Sequence, residues 1–152
     1  MKIVDGAAHI EEIRALFQEY ASWIGRDLSF QRYADELEHL PGKYARPEGR
    51  LYLALSDTDE PLDCGALRDL GQGRCEMKRL YVRPGCRGGG IGAALIALLL
   101  EDARQEGYQE MVLDTLSFMK SARSLYHRMG FEAIPPYYEN PMEDVFYLRK
   151  RL

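Results

Sequence analysis

From Arg83 to Leu99 the chain reads Arg-Pro-Gly-Cys-Arg-Gly-Gly-Gly-Ile-Gly-Ala-Ala-Leu-Ile-Ala-Leu-Leu, a basic, glycine-rich loop that opens straight into an apolar helical repeat. Gly88, Gly89, Gly90 and Gly92 let successive backbone N–H groups converge without Cβ obstruction, and the first turn of the helix adds unpaired donors and the positive end of a dipole. Such a segment cradles an anion, and a phosphate-bearing ligand is its natural occupant. Arg83 and Arg87, just before these glycines, favour the same reading over a merely flexible loop.

The flanking pattern fixes the fold class. Lys2–Asp5 reads as a short strand, and Ile10, Ile13, Phe17, Tyr20 and Ile24 recur at helical spacing up to Gly25. A second, more polar helix is expected over Gln31–Leu40, stopped by Pro41-Gly42. Leu51, Leu53 and Leu55 alternate, and Cys64–Leu70 and Arg74–Val82 follow across turn-rich stretches, so three strands form an antiparallel meander. After the helix that starts at Ile91 and stops at Gly107 come a strand at Glu110–Leu116, a helix at Ser117–Met129 closed by Gly130, and a last strand at Asp144–Leu152. The crossover helix requires Glu110–Leu116 to lie parallel beside Arg74–Val82. The whole is a single α+β domain spanning residues 1–152, with a mixed, mostly antiparallel sheet and helices on both faces.

Three phosphate chemistries compete for the loop. A mononucleotide P-loop needs Gly-Lys-Ser/Thr where this chain has Gly92-Ala93-Ala94. A dinucleotide fingerprint is met literally by Gly88, Gly90 and Ala93, with Asp114 as the ribose-binding acid, and so an oxidoreductase stays among the alternatives. That fold, however, begins with its glycine loop and continues into a second half, whereas here the loop comes late. The residues between Val82 and Gly88 also make a wider loop, suited to a pyrophosphate at the helix mouth.

Two further sequence patterns resemble one family. Arg87-Gly88-Gly89-Gly90-Ile91-Gly92 matches the R/Q-x-x-G-x-G/A motif of the GNAT superfamily of acetyl-coenzyme A-dependent N-acetyltransferases, and it follows Leu80-Tyr81-Val82 at the usual spacing. Ala122, Leu125-Tyr126 and Gly130-Phe131 resemble that family's second motif. The resemblance implies a GNAT-like acyl-CoA N-acyltransferase fold with acetyl-CoA as acyl donor. It further implies that Leu80, Tyr81 and Val82 pair with the pantetheine arm as an added strand, and that Arg87, Gly88, Gly89, Gly90, Ile91, Gly92 and Ala93 hold the pyrophosphate. Many relatives carry asparagine where this chain has Met119, a departure that leaves Ser121 and Ser124 as nearby polar substitutes.

Within that resemblance Glu76 is the candidate general base and Tyr126 the candidate general acid. Their plainer readings are a Lys78-paired strand carboxylate and an aromatic packed on the sheet. Glu76 is expected to face the acceptor channel, and Asp69, Asp114 and Glu139 could join it in an acidic pocket for a cationic amine. Tyr137-Tyr138-Glu139-Asn140-Pro141 reads either as a loop anchored by two rings or as a lid over the acceptor. The expected reaction is acetyl transfer to a primary amine of a small molecule or peptide. A non-catalytic acyl-CoA sensor remains the alternative.

Composition narrows the partners. A net charge of -4 disfavours a nucleic-acid-binding module, which presents a basic face to displace counterions. The apolar run Ile91–Leu100 falls short of the ~20 residues of a membrane span. Without a secretory-type apolar leader, the expected location is cytoplasmic. Cys64, Cys75 and Cys86 fit neither a zinc spacing nor an even disulfide set, so no metal is expected. His9, His39 and His127 suggest surface or structural roles. A monomer and a homodimer are both kept open.

Overall fold

The alternation in Arg50–Leu55 puts Leu51, Leu53 and Leu55 on one face of a strand and Tyr52 and Ala54 on the other. This strand, β2 (Arg50–Leu55), is buried on both faces, and pairs antiparallel with β1 (Lys2–Asp5) and with β3 (Pro61–Gly71). Gly71-Gln72-Gly73, all at positive φ, turns the chain back into β4 (Arg74–Val82). The remaining strands are β5 (Glu110–Leu116), β6 (Glu132–Ile134) and β7 (Val145–Arg151). The computed structural model describes every residue from Met1 to Leu152, and its strands form one sheet in the order β1-β2-β3-β4-β5-β7-β6. Only β4 and β5 run parallel, as the crossover requires.

Helix α1 (Ile10–Ile24) turns Ile13, Leu16, Phe17 and Ile24 inward and ends at Gly25, whose left-handed backbone lets its N–H reach the Ala21 carbonyl. Helix α2 (Tyr33–Glu38) is shorter than the expected Gln31–Leu40. Arg32 adopts φ 55°, which divides the segment into a 3-10 turn at Ser29–Gln31 and a brief helix. Helix α3 (Ile91–Gln105) is the crossover, and α4 (Lys120–Arg128) follows β5. Ser117 stays outside α4 because its N–H donates to the Asp144 carbonyl (2.9 Å) and its hydroxyl to Asp144 Oδ2 (3.1 Å), which holds it in the loop. No helix is long and apolar enough to cross a membrane.

The helices cover both faces and seal two separate cores. Helices α1 and α2 pack on Leu51, Leu53, Leu55, Cys64 and Ala66, whereas α3 and α4 pack on Leu67, Cys75, Met77, Met111 and Leu113. The sheet between these cores is forked. Pairing of β4 with β5 covers Arg74 to Glu76 and stops at Glu76 opposite Val112, though β4 continues to Val82 and β5 to Leu116. On the other side of β4, the register with β3 jumps from Lys78 opposite Ala66 to Tyr81 opposite Cys64, so that Arg79 and Leu80 form a bulge.

Candidate active site

The bulge is built from a residue that disfavours its own conformation. Arg79 sits at φ 60°, and its buried guanidinium makes two hydrogen bonds to Glu36 of α2, at 2.8 and 2.9 Å, while stacking 4.6 Å above the Tyr33 ring. Burial opposes ionisation of Glu36, but Arg79 outweighs it and holds that carboxyl down at about 2. A buried ion pair thus anchors the kink, and Leu80 emerges from it with no partner strand on the β5 side.

The fork opens into a cavity of about 770 Å³ bounded by α1, the ends of β4 and β5, the glycine loop and α4. At its loop end, Gly88 and Gly90 take positive φ (89° and 78°), and Gly90 caps α3 without any side-chain hydrogen bond. The first helical hydrogen bond runs from Ala94 N–H to the Gly90 carbonyl. Every backbone N–H from Arg87 to Ala93 is left without an acceptor within the chain, the unfilled donor set expected of an anion cradle. Arg87, Gly88, Gly90, Ile91, Gly92 and Ala93 all border the cavity, as do Leu80, Tyr81 and Val82; Gly89 does not.

The two arginines before the glycines are held differently. Arg83 makes a two-point ion pair with Glu19 of α1, both contacts at 3.0 Å. Arg87 donates from Nε to the Val82 carbonyl at 3.0 Å and lies 4.6 Å over the Trp23 ring. Arg83 is thereby committed to Glu19, whereas Arg87 keeps both terminal nitrogens unbonded at the cavity wall, beside the backbone amides of the cradle. Trp23 in turn packs on Tyr81 and Phe118, giving the cavity an aromatic wall that sequence spacing did not single out.

Tyr126 borders the cavity from α4, packed edge-on against Phe131 and 6% exposed. Burial pushes its phenol well up, so it stays protonated. The hydroxyls of Tyr33, Tyr137 and Tyr138 are spent on Phe17, Glu76 and Asp114 respectively, whereas that of Tyr126 makes no hydrogen bond within the chain. Met119 borders the cavity too, its sulfur accepting from Thr115 Oγ1 at 3.5 Å, and Ser121 and Ser124 line the same wall.

Glu76 departs from expectation. It is fully buried but does not border the cavity, because Arg68 Nε (2.8 Å) and the Tyr137 hydroxyl (2.6 Å) occupy its two oxygens. Burial works against its ionisation, yet Lys78, Tyr137 and Arg68 together pull it below the ordinary carboxylate range. The expected acidic group is also dispersed. Asp69 is exposed near the β3–β4 turn, Glu139 borders a separate open groove, and Asp114 alone reaches the cavity. Tyr137 and Tyr138 pack on Tyr147, with centroids at 5.4 and 5.8 Å, so this stretch is an anchored loop.

This sheet, forked at its only parallel pair and closed by an amide cradle, defines the acyl-CoA N-acyltransferase class, and the comparisons agree. The model of the acetyltransferase (GNAT) family matches residues 10–131, and the chain belongs to that family. It is 40% identical, over 92% of its length and 86% of the other's, to an uncharacterized N-acetyltransferase of Schizosaccharomyces pombe. A putative acyl-CoA N-acyltransferase from Klebsiella pneumoniae superposes with a TM-score of 0.78 at 28% identity, covering 99% and 97% of the two chains. The PaiA N-acetyltransferase of Thermoplasma acidophilum, solved with coenzyme A, shares the fold over all of both chains, with a TM-score of 0.75 at 18% identity. The chain is therefore an N-acetyltransferase by family, and the dinucleotide reading falls. Its topology agrees, since β5 is followed by antiparallel β7 rather than by a second nucleotide-binding half.

Proposed function

We propose that the chain transfers the acetyl group of acetyl-CoA to a primary amine of a small molecule or peptide by direct attack. The observation that carries this reading is the run of acceptor-less amides from Arg87 to Ala93, opening on a cavity that passes the unpaired Leu80–Val82 edge and ends beside Tyr126. The residues fit a pyrophosphate at one end and an extended pantetheine arm along the fork. When bound, acetyl-CoA supplies an activated thioester carbonyl.

The chain's own groups divide the work. A main-chain N–H of the bulge is aimed at the thioester oxygen, where a well-placed donor contributes roughly 3–4 kcal/mol to the barrier lowering. The amine nitrogen forms the C–N bond as the C–S bond breaks; nitrogen gives up a proton, and sulfur gains one from Tyr126. Because Glu76 is occupied and outside the cavity, we assign the proton acceptor to Asp114, directly or through water. Glu76 is then a positioning residue that holds Tyr137 and the loop above the fork.

Purified protein mixed with acetyl-CoA and a panel of primary amines should release coenzyme A with a stoichiometric amount of acetylated amine, detected by thiol titration and mass spectrometry. Stabilisation by acetyl-CoA without product from any amine would instead mark an acyl-CoA sensor.

A further inference from the structure

The last paired residues of the fork are Glu76 and Val112, and two positions further on, on the same face, stand Lys78 and Asp114. Both border the cavity, one on each arm, and they are not ion-paired with each other. Lys78 is a buried cation with poor company. Only 7% of its side-chain surface is exposed, its hydrogen bond to Gln31 Oε1 is a long 3.4 Å, and Glu76 Oε1, already bonded to Arg68, is 4.0 Å away. Burial, reinforced by neighbouring Arg79, draws its ammonium down to about 8. Asp114 keeps one oxygen for Tyr138, and Oδ1 takes no hydrogen bond from the chain.

A buried ammonium with donor capacity to spare costs stability unless something else fills it. Across the same gap lies a carboxylate with an open oxygen. We infer that the acceptor is a free amino acid held as a zwitterion across the fork, its carboxylate on Lys78 and the Gln31 amide, its ammonium on Asp114. This inference rests on the acetyl-transfer reading and narrows its substrate. Ile24, Leu28 and Met142 line the cavity beside these groups, and Met142 also borders the adjoining open groove, so an apolar side chain has a place to lie. In the transfer itself, Asp114 or its water takes one proton from the ammonium and passes it to solvent. The freed amine forms the C–N bond as the C–S bond breaks, its second proton goes to Asp114, the departing thiolate takes the Tyr126 proton, which solvent restores, and the amino acid's carboxylate is unchanged.

The test compares phenylalanine, phenylalaninamide and phenethylamine as acceptors for the wild-type protein with acetyl-CoA. Phenylalanine should exceed both others in kcat/KM by about tenfold or more, the scale of a hydrogen bond to a charged group. Lys78→Met should collapse that ratio towards unity, and Lys78→Arg should keep most of it. In parallel, calorimetric titration of the coenzyme A-saturated protein should detect N-acetylphenylalanine and not N-acetylphenethylamine, a readout that needs neither turnover nor a variant. Equal use of phenethylamine, or a preference that survives Lys78→Met, overturns the inference while acetyl transfer to amines stands. Failure of every amine, with no binding of the acetylated amino acid, overturns both.

Discussion

Two buried side chains differ in what they leave unsatisfied. Tyr126 keeps an unbonded hydroxyl at the cavity wall while its ring is fixed by Phe131. Tyr126→Phe preserves that packing and removes only the proton donor, so kcat should fall by about a hundredfold or more with acetyl-CoA affinity nearly unchanged. Steady-state kinetics beside calorimetric binding will separate the two, and an unaltered kcat assigns the ring to packing alone. Asp63 is the opposite case, a carboxyl buried in β3 with neither oxygen hydrogen-bonded. Burial pushes it up to about 8, and the nearby Cys64 and Tyr81 amides recover only part of the cost. Between the unfolded value, about 3.9, and the folded one, the folded chain retains a proton that the unfolded chain has lost. Stability therefore falls as pH rises through this window, by at most about 1.4 kcal/mol per pH unit, and levels off above it. Urea midpoints of Asp63→Asn should stay nearly constant between about pH 5 and about pH 8, while those of the parent decline; a flat parent curve would show that the carboxyl ionises freely.

Among the elements, the glycine loop was readable in the sequence and the bulge was not. Gly88 and Gly90 declare their left-handed backbone by residue type, and the helical repeat after them shows where free amides must gather. Arg79 takes the same region of backbone space with a long side chain, and what holds it there, Glu36, lies in a helix distant in sequence. No local pattern encodes such a tie. The pair has a measurable consequence: Arg79→Ala leaves the buried Glu36 carboxylate with only the Lys43 ammonium, at 3.2 Å, and should cost roughly 3 kcal/mol in urea unfolding. A double-mutant cycle with Glu36→Gln should return a large coupling energy. Additive losses would mean that the kink stands without its anchor. The same distance in sequence explains the misplacement of Glu76, which alternation put on the correct face. Its capture by Arg68 and Tyr137 depends on β3 and on the loop before β7.

For the molecule as a whole, strand order and the parallel crossover followed from element succession, because a helix between two strands of one sheet leaves few topologies. What succession could not supply was the fork, which arises where β4 and β5 are drawn to different partners. Arg79 binds the leading arm to α2, and Phe146 and Val145 of β7 pair with the trailing arm through Thr115 and Leu116. An exposed strand margin usually invites another sheet to dock, with aggregation as the penalty. Here the vacant margin is recessed between two arms of one sheet, roofed by helices. Whatever pairs with it must enter between the arms, so the seam offers its free edge to a single extended chain and not to the margin of a second sheet.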